Sequence, residues 1–101
     1  MNWLVPMSGP DITAAEIEAV TSVLRTPHLS IGPRIAEFER RFAAYIGCRS
    51  GVGVNSGTSG LHLCVIAAGV GEGDLVVTTP FSFVASANCI LYERGVPVFV
   101  D

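Results

Sequence analysis

The feature that most constrains the fold is a change of rhythm after residue 50, where short apolar runs begin to alternate with helical segments. Three runs are typical of strands, namely GVGVN, LVVTTP and VPVFVD. Two segments between them are typical of helices, namely TSGLHLCVIAAGV and SFVASANCILYERG. Short apolar strands joined by helices favour a parallel sheet that is covered on both faces. The sequence therefore predicts an α/β fold with the order β-α-β-α-β.

The segment before this alternation is predicted to be helical. Residues 1–32 are interpreted as an extended arm, a first helix and a loop, and Thr13 and Glu16 have the spacing of a capping box in that helix. Pro33 suits the first position of a second helix, PRIAEFERRFAAYIG. We therefore divide the chain into residues 1–32 and residues 33–101, the latter holding the second helix and the β-α-β-α-β unit.

The composition is apolar for a chain of this length. Of the 101 residues, 50% are hydrophobic and 15% are charged, against an average of about 25% charged. Small domains bury a low fraction of their surface, so we expect this sequence to be the front part of a larger α/β domain with an incomplete sheet. The net charge of −3 comes without a basic cluster, which argues against nucleic acid or an anionic membrane as a partner.

The cysteines and the N-terminus favour a cytoplasmic protein. Cys48, Cys64 and Cys89 are odd in number and form no C-x-x-C pair, so we expect buried, reduced thiols. The N-terminus lacks the features of a signal peptide, and no apolar run approaches the roughly 20 residues of a membrane span. No group of His, Cys, Asp or Glu has metal-ligand spacing, and no nucleophile has an evident base beside it.

The turn NSGTSG, which joins the first predicted strand to a helix, is a candidate phosphate site. The first N–H groups of a helix have no intrahelical acceptor, and the helix dipole favours an anion there. Gly57 would let an oxyanion approach the backbone, and the N–H and hydroxyl groups of Thr58 and Ser59 could donate to it. The alternative is structural: Ser56 or Thr58 caps the helix and Gly57 makes the turn.

Two better-known phosphate motifs fit this turn poorly. A P-loop requires a lysine, and the six basic residues of the chain are all arginines. A dinucleotide-binding fingerprint would place its glycines after the strand, whereas Gly51 and Gly53 lie at its start. The next strand also ends in threonines and a proline where an acidic residue for a ribose would be expected.

The start of the second helix of the alternation, FSFVASAN, contributes two aromatic side chains. Phe81 and Phe83 flank Ser82 directly after the strand LVVTTP. They could be ordinary core residues. They could also present a flat face to a planar cofactor.

Taken together, the segments MSGPDITAAEIEAV, LSIGPRIAEFERRFAAYIG, VNSGTSGLHL, GEGDLVVTTPFSFVASAN and GVPVFVD resemble the DegT-type (DegT/DnrJ/StrS) sugar aminotransferases. The resemblance covers nearly the whole chain. It implies the large domain of the three-layer fold type I transferases, which depend on pyridoxal 5'-phosphate (PLP). It further implies a cytoplasmic homodimer that transfers an amino group, usually from glutamate, to a nucleotide-linked keto-sugar.

The resemblance also implies roles for individual residues. It assigns the cofactor phosphate to Gly57, Thr58 and Ser59, and stacking on the pyridine ring to Phe83. It places Ser30 and Gly32 in a loop near the substrate and the dimer interface. It assigns no catalytic residue within this sequence.

The chain departs from this family in one respect. The family requires a lysine that binds PLP covalently and a carboxylate beside the pyridine nitrogen, and both lie beyond the matching stretch. Because the sequence contains no lysine, we expect the 101-residue chain to be inactive alone.

Three interpretations therefore stay open. The first is the N-terminal segment of a PLP-dependent sugar aminotransferase. The second is a related sugar dehydratase, in which histidine replaces the lysine. The third is an inactive fragment or interaction module, whose last strand would present an exposed sheet edge.

Overall fold

The computed structural model describes residues 8–100, which divide between Gly51 and Val52 into two compact units. The first unit ends at Gly51, whereas the sequence-based division falls after residue 32. The sequence-based division groups predicted helices and strands, whereas the two units are defined by contacts between residues. It therefore stays a prediction.

The first unit contains the helices α1 (Ala14–Leu24) and α2 (Pro33–Ile46). The predicted capping box is confirmed: the N–H of Thr13 donates to the Glu16 carboxylate at 2.7 Å, and the Thr13 hydroxyl caps the helix. Hydrogen bonds from Thr13 also lower the pKa of Glu16 below its ordinary value of 4.5. Pro33 occupies the first turn of α2 as predicted, and Gly47 ends the helix in the left-handed conformation, with φ 78°.

The second unit consists of α3 (Gly57–Ala67), β1 (Leu75–Thr78), α4 (Ala85–Tyr92) and β2 (Val96–Phe99). The two strands are parallel and adjacent. Their register pairs Leu75 with Val96 and Thr78 with Phe99. The helix α4 connects the strands and packs against both of them as well as against α3. This βαβ arrangement confirms the α/β class for residues 75–99.

The predicted first strand, GVGVN at residues 51–55, is wrong as an assignment of secondary structure. In the part of the chain that the structure describes, the sheet has two strands, and residues 51–54 have no regular structure. Valines at alternate positions favour an extended backbone, but a strand is defined by the neighbour that it pairs with. Neither β1 nor β2 provides that neighbour.

The core of the second unit lies under α4. Ala85, Cys89 and Ile90 are buried on this helix, and Gly95 is buried where the chain enters β2. Cys48 and Cys64 are exposed in the described part of the chain, so the prediction of buried thiols holds for Cys89 alone.

A side-chain contact joins α3 to the end of α4. Nε2 of His62 and Oε1 of Glu93 are 2.6 Å apart, and both side chains are about one-third exposed. The ring of Tyr92 packs edge-on against the His62 ring, with 5.1 Å between centroids. His62 is therefore hydrogen-bonded, as expected of a histidine in an apolar helix.

Candidate functional site: the N-terminus of α3 and the groove at Phe83

The candidate phosphate turn is built by Ser56, which caps α3 from an extended conformation with φ −159° and ψ 157°. Its hydroxyl oxygen accepts a hydrogen bond from the N–H of Ser59 at 3.1 Å. Its carbonyl oxygen accepts from the N–H of Gly60 at 3.1 Å. The capping alternative drawn from the sequence is thus realised at Ser56. A capped helix start still leaves other N–H groups available.

Those available groups belong to Gly57 and Thr58, the first two residues of α3. Within residues 8–100, neither N–H has an acceptor and the Thr58 hydroxyl has no hydrogen-bond partner. A Cβ added at Gly57 would meet no atom within 4 Å. The start of α3 therefore presents two backbone donors and a hydroxyl beside open space, which is the arrangement that an oxyanion requires.

Ser59 differs from its two neighbours because its donors are already used within the turn. Its N–H donates to Ser56, and its hydroxyl donates to Oδ1 of Asn55 at 2.8 Å. The hydroxyl oxygens of Ser56 and Ser59 are also 3.0 Å apart. Ser59 therefore faces the segment that enters the helix.

The second candidate feature is a groove of about 220 Å³ beside Phe83, at the carboxyl end of β1. Its lining includes Thr79, Ser82, Phe83 and Phe99, and none of the residues of the α3 turn. Phe83 is 76% exposed and Phe81 is 98% exposed. Neither phenylalanine is a core residue of the described part of the chain, so most of the Phe83 side chain is available for contact.

The loop residues Ser30 and Gly32 lie in the first unit and are not brought together with the α3 turn. Gly32 is the N-cap of α2, and a Cβ there would lie 3.1 Å from the carbonyl oxygen of His28. A larger residue at this position would require His28 to shift by a few tenths of an ångström. Ser30 is exposed, and both residues keep their predicted roles as predictions.

Two residues of these features were missed by the sequence analysis. Asn55 was not identified as part of the site, although its spacing of four from Ser59 is compatible with a contact across the first helical turn. Phe99 enters the Phe83 groove because the parallel register places it opposite Thr78. Periodicity alone does not fix the register of a strand.

A metal site and a membrane-spanning helix are two features that the described residues do not contain. No group of three or more His, Cys, Asp or Glu side chains between residues 8 and 100 could hold a metal ion. No helix in the same range has both the length and the hydropathy that a bilayer span requires.

The parallel βαβ arrangement and the candidate anion site at a helix start define the class of protein. The structure corresponds to an N-terminal part of the large domain of fold type I, PLP-dependent transferases, as its similarity to solved aminotransferases confirms. The chain belongs to the DegT/DnrJ/EryC1/StrS aminotransferase family, whose model matches residues 10–101. The cofactor of this family is PLP, since solved relatives are PLP and PMP forms.

The individual relatives agree with this assignment. The chain is 43% identical over 100 residues to the spore coat polysaccharide biosynthesis protein SpsC of Bacillus subtilis, covering 99% of this chain and 26% of SpsC. It is 37% identical to Spr1654 of Streptococcus pneumoniae, a proposed sugar aminotransferase in its PLP form, with a TM-score of 0.88 over 98% of this chain and 25% of that one. NtdA of Bacillus subtilis with bound PMP gives 34% identity and a TM-score of 0.79, over 89% of this chain and 22% of NtdA. The chain thus spans about a quarter of the length of the relatives that it matches.

Proposed function

We propose that this sequence is the N-terminal part of a PLP-dependent aminotransferase that acts on a nucleotide-linked keto-sugar, with glutamate as the amino donor. Membership of the family supports the reaction class. The observation that carries the proposal is the start of α3, where Gly57 and Thr58 offer N–H groups without an acceptor among the described residues. A phosphate is the part of PLP that such donors suit.

The residues present fit the cofactor. A Cβ at Gly57 would meet no atom within 4 Å, so the space beside this residue is open to an oxyanion. The dipole of α3 favours the negative charge of a phosphate at this end of the helix. Because the sequence has no lysine, this part of the site relies on amide and hydroxyl donors and on the helix dipole.

We assign Gly57, Thr58 and Ser59 to the phosphate subsite and Phe83 to the face of the pyridine ring. The Thr58 hydroxyl and the two free N–H groups would hold the phosphate, and the exposed ring of Phe83 would keep the pyridine ring in one plane by stacking. When bound, PLP supplies the electron sink that allows an amino group to move from donor to acceptor. The residues described here bind and orient; they do not transfer protons.

The rest of the proposal concerns the assembled protein. Ser30 and Gly32 would lie near the substrate and the interface of a cytoplasmic homodimer. The amino group would replace the keto oxygen of the sugar, while the donor carbon becomes a keto group. Residues 1–101 alone would not transaminate, since covalent attachment of PLP requires a lysine and this sequence contains none.

The cofactor assignment is tested by the double variant Gly57→Asp with Thr58→Ala in the full-length protein. The added carboxylate would occupy the space for the oxyanion and repel it, so we expect a PLP affinity at least about tenfold weaker by absorbance titration. Gly9→Asp is the matched control, because it adds the same charge at an exposed position with open surroundings. Unchanged affinity in the double variant would exclude the α3 turn as the phosphate subsite.

The reaction is tested with ¹⁵N-glutamate and a series of nucleotide-linked keto-sugars. The proposal expects ¹⁵N in the sugar product and 2-oxoglutarate in equal amounts, measured by mass spectrometry. A dehydrated sugar without nitrogen would identify the related dehydratase reaction. An aminated sugar without ¹⁵N, formed when unlabelled amino acids are also present, would exclude glutamate as the donor while leaving the aminotransferase assignment in place.

A further inference from the structure

The hydrogen bonds around the start of α3 separate its residues into two groups. Asn55, Ser56 and Ser59 form a closed cluster, which we call the Asn55 cluster. Ser59 donates its hydroxyl to Oδ1 of Asn55 at 2.8 Å, and its N–H to the Ser56 hydroxyl at 3.1 Å. The Ser56 hydroxyl is also 3.5 Å from Oδ1 of Asn55. The N–H and hydroxyl donors of Ser59 are thus both used inside the cluster.

Gly57 and Thr58 form the second group, between the two serines in sequence. Their N–H groups and the Thr58 hydroxyl have no acceptor within residues 8–100. Donors whose direction is fixed before a ligand arrives bind it more tightly, since the cost of ordering them has already been met. The Asn55 cluster fixes the first turn of α3 on either side of these donors.

We propose that Asn55 is a positioning residue for the cofactor phosphate, acting through Ser59, and that Gly57 and Thr58 make the direct contacts. The inference rests on the function proposed above. Asn55 lies just before the helix and Ser59 lies in its first turn, so their hydrogen bond ties the entering segment to the helix. Without it, the Ser59 hydroxyl turns to other partners and competes with the cap at Ser56.

The chemistry of the amide oxygen agrees with this assignment. Oδ1 of Asn55 is an acceptor, and an acceptor directed at a phosphate would repel it. The structure directs Oδ1 toward the hydroxyls of Ser56 and Ser59. Asn55 therefore acts on the phosphate through the orientation of the turn.

The test compares two ligands in the full-length protein freed of cofactor: PLP and pyridoxal, which lacks the phosphate. The dissociation constant of pyridoxal divided by that of PLP measures how much the phosphate contributes to binding, and this quotient is the ratio used below. Thr58→Ala removes a direct donor, and we expect it to lower this ratio about tenfold. Asn55→Ala and Ser59→Ala each disturb the first turn, and we expect each to lower the ratio about fivefold, the cost of a lost helix cap.

The double variant Asn55→Ala with Ser59→Ala distinguishes positioning from contact. If both residues act through one hydrogen bond, the double variant lowers the ratio about fivefold, as each single variant does. Two independent phosphate contacts would multiply, to about 25-fold. Ser59→Thr keeps the hydroxyl and is expected to restore the wild-type ratio.

Amide hydrogen exchange at Ser59 and Gly60 without ligand provides a readout that is independent of the cofactor, because both N–H groups donate to Ser56 in the first turn of α3. A positioning role predicts faster exchange in Asn55→Ala and an unchanged rate in Ser59→Thr. A wild-type ratio near one would overturn the proposed phosphate subsite itself. If the wild-type ratio is large and Asn55→Ala leaves it unchanged, the positioning role alone is overturned. The positioning role is also overturned if the effects of the two single variants multiply in the double variant.

Discussion

At the scale of single residues, Gly95 has the most restricted surroundings of the described glycines in the second unit. A Cβ at this position would lie 2.9 Å from Cγ2 of Ile90 and 3.0 Å from Cγ1 of Val70. Gly95 is buried, so these neighbours have little room to move. We expect Gly95→Ala to destabilise the protein by about 1–3 kcal/mol, the usual cost of overpacking a core, measured by urea unfolding of the full-length protein.

Gly71→Ala is the control for that prediction. Its added Cβ would have its nearest neighbour at 3.9 Å, an ordinary contact. We expect a change in unfolding free energy of less than about 0.5 kcal/mol. Equal effects of the two variants would mean that the loss at Gly95 does not arise from crowding against Ile90 and Val70.

The site shows which properties of a residue can be read from a sequence. The position of Gly57 and Thr58 at the start of a helix follows from their place before an apolar helical pattern. The direction of the Ser59 side chain could not be predicted, because it depends on a rotamer that Asn55 stabilises. Sequence reasoning therefore located the turn but assigned the same role to Thr58 and Ser59, which the structure places in different hydrogen-bonding situations.

At the scale of elements, α3 and α4 are joined by the contact between His62 and Glu93. The imidazole N–H donates to the carboxylate at 2.6 Å, in a partly buried position. Hydrogen bonds to a charged group contribute about 1.5–3 kcal/mol when shielded, and partial exposure reduces this. We expect a coupling free energy of about 0.5–1.5 kcal/mol between His62→Ala and Glu93→Ala, measured by a double-mutant cycle on unfolding.

The ion pair between Glu72 and Arg94 is the matched control for that cycle. Its nearest atoms are 3.4 Å apart, and both side chains are more than 70% exposed. Exposed pairs of this kind contribute little, so we expect a coupling free energy close to zero. Glu93→Gln keeps an acceptor for His62 and should lose only part of the coupling. A coupling no larger than that of the control pair would show that α3 and α4 are held together by apolar packing alone.

The elements that the sequence predicted correctly have local causes. The start of α1 follows from Thr13 and Glu16, and the limits of α2 follow from Pro33 and Gly47, all of which act within one turn of the helix. The segment 51–55 was predicted wrongly as a strand because pairing depends on a distant neighbour. Sequence patterns therefore predicted where the helices begin and end better than they predicted which segments are strands of the sheet.

At the scale of the whole molecule, the sheet has one covered face and one open face among the described residues. Thr78 points toward α4, since its hydroxyl donates to the carbonyl oxygen of Ser86 at 3.4 Å. Side chains alternate along a strand, so Leu75 and Val77 lie on the opposite face, together with Val96, which pairs with Leu75. Their exposed fractions are 73%, 66% and 46%.

This open apolar face predicts a further layer in the assembled protein. Parallel sheets are covered on both faces, and the fold type I transferases to which the structure is similar are three-layer proteins. If a layer covers the face, Val77 is buried in the full-length protein. A buried, unpaired carboxylate is costly, so we expect Val77→Asp to lower the unfolding free energy by roughly 3 kcal/mol or more and to reduce soluble yield.

Two variants make the test of that layer specific. Val77→Ala removes apolar area without adding charge, and its loss should be smaller, at about 1–2 kcal/mol. Glu72→Ala changes an exposed side chain of the same unit and should leave stability unchanged, because its ion pair is weak. If Val77→Asp left the stability and yield of the full-length protein at the level of Glu72→Ala, this face of the sheet would be open to water, and the second unit would have its helices on one side only.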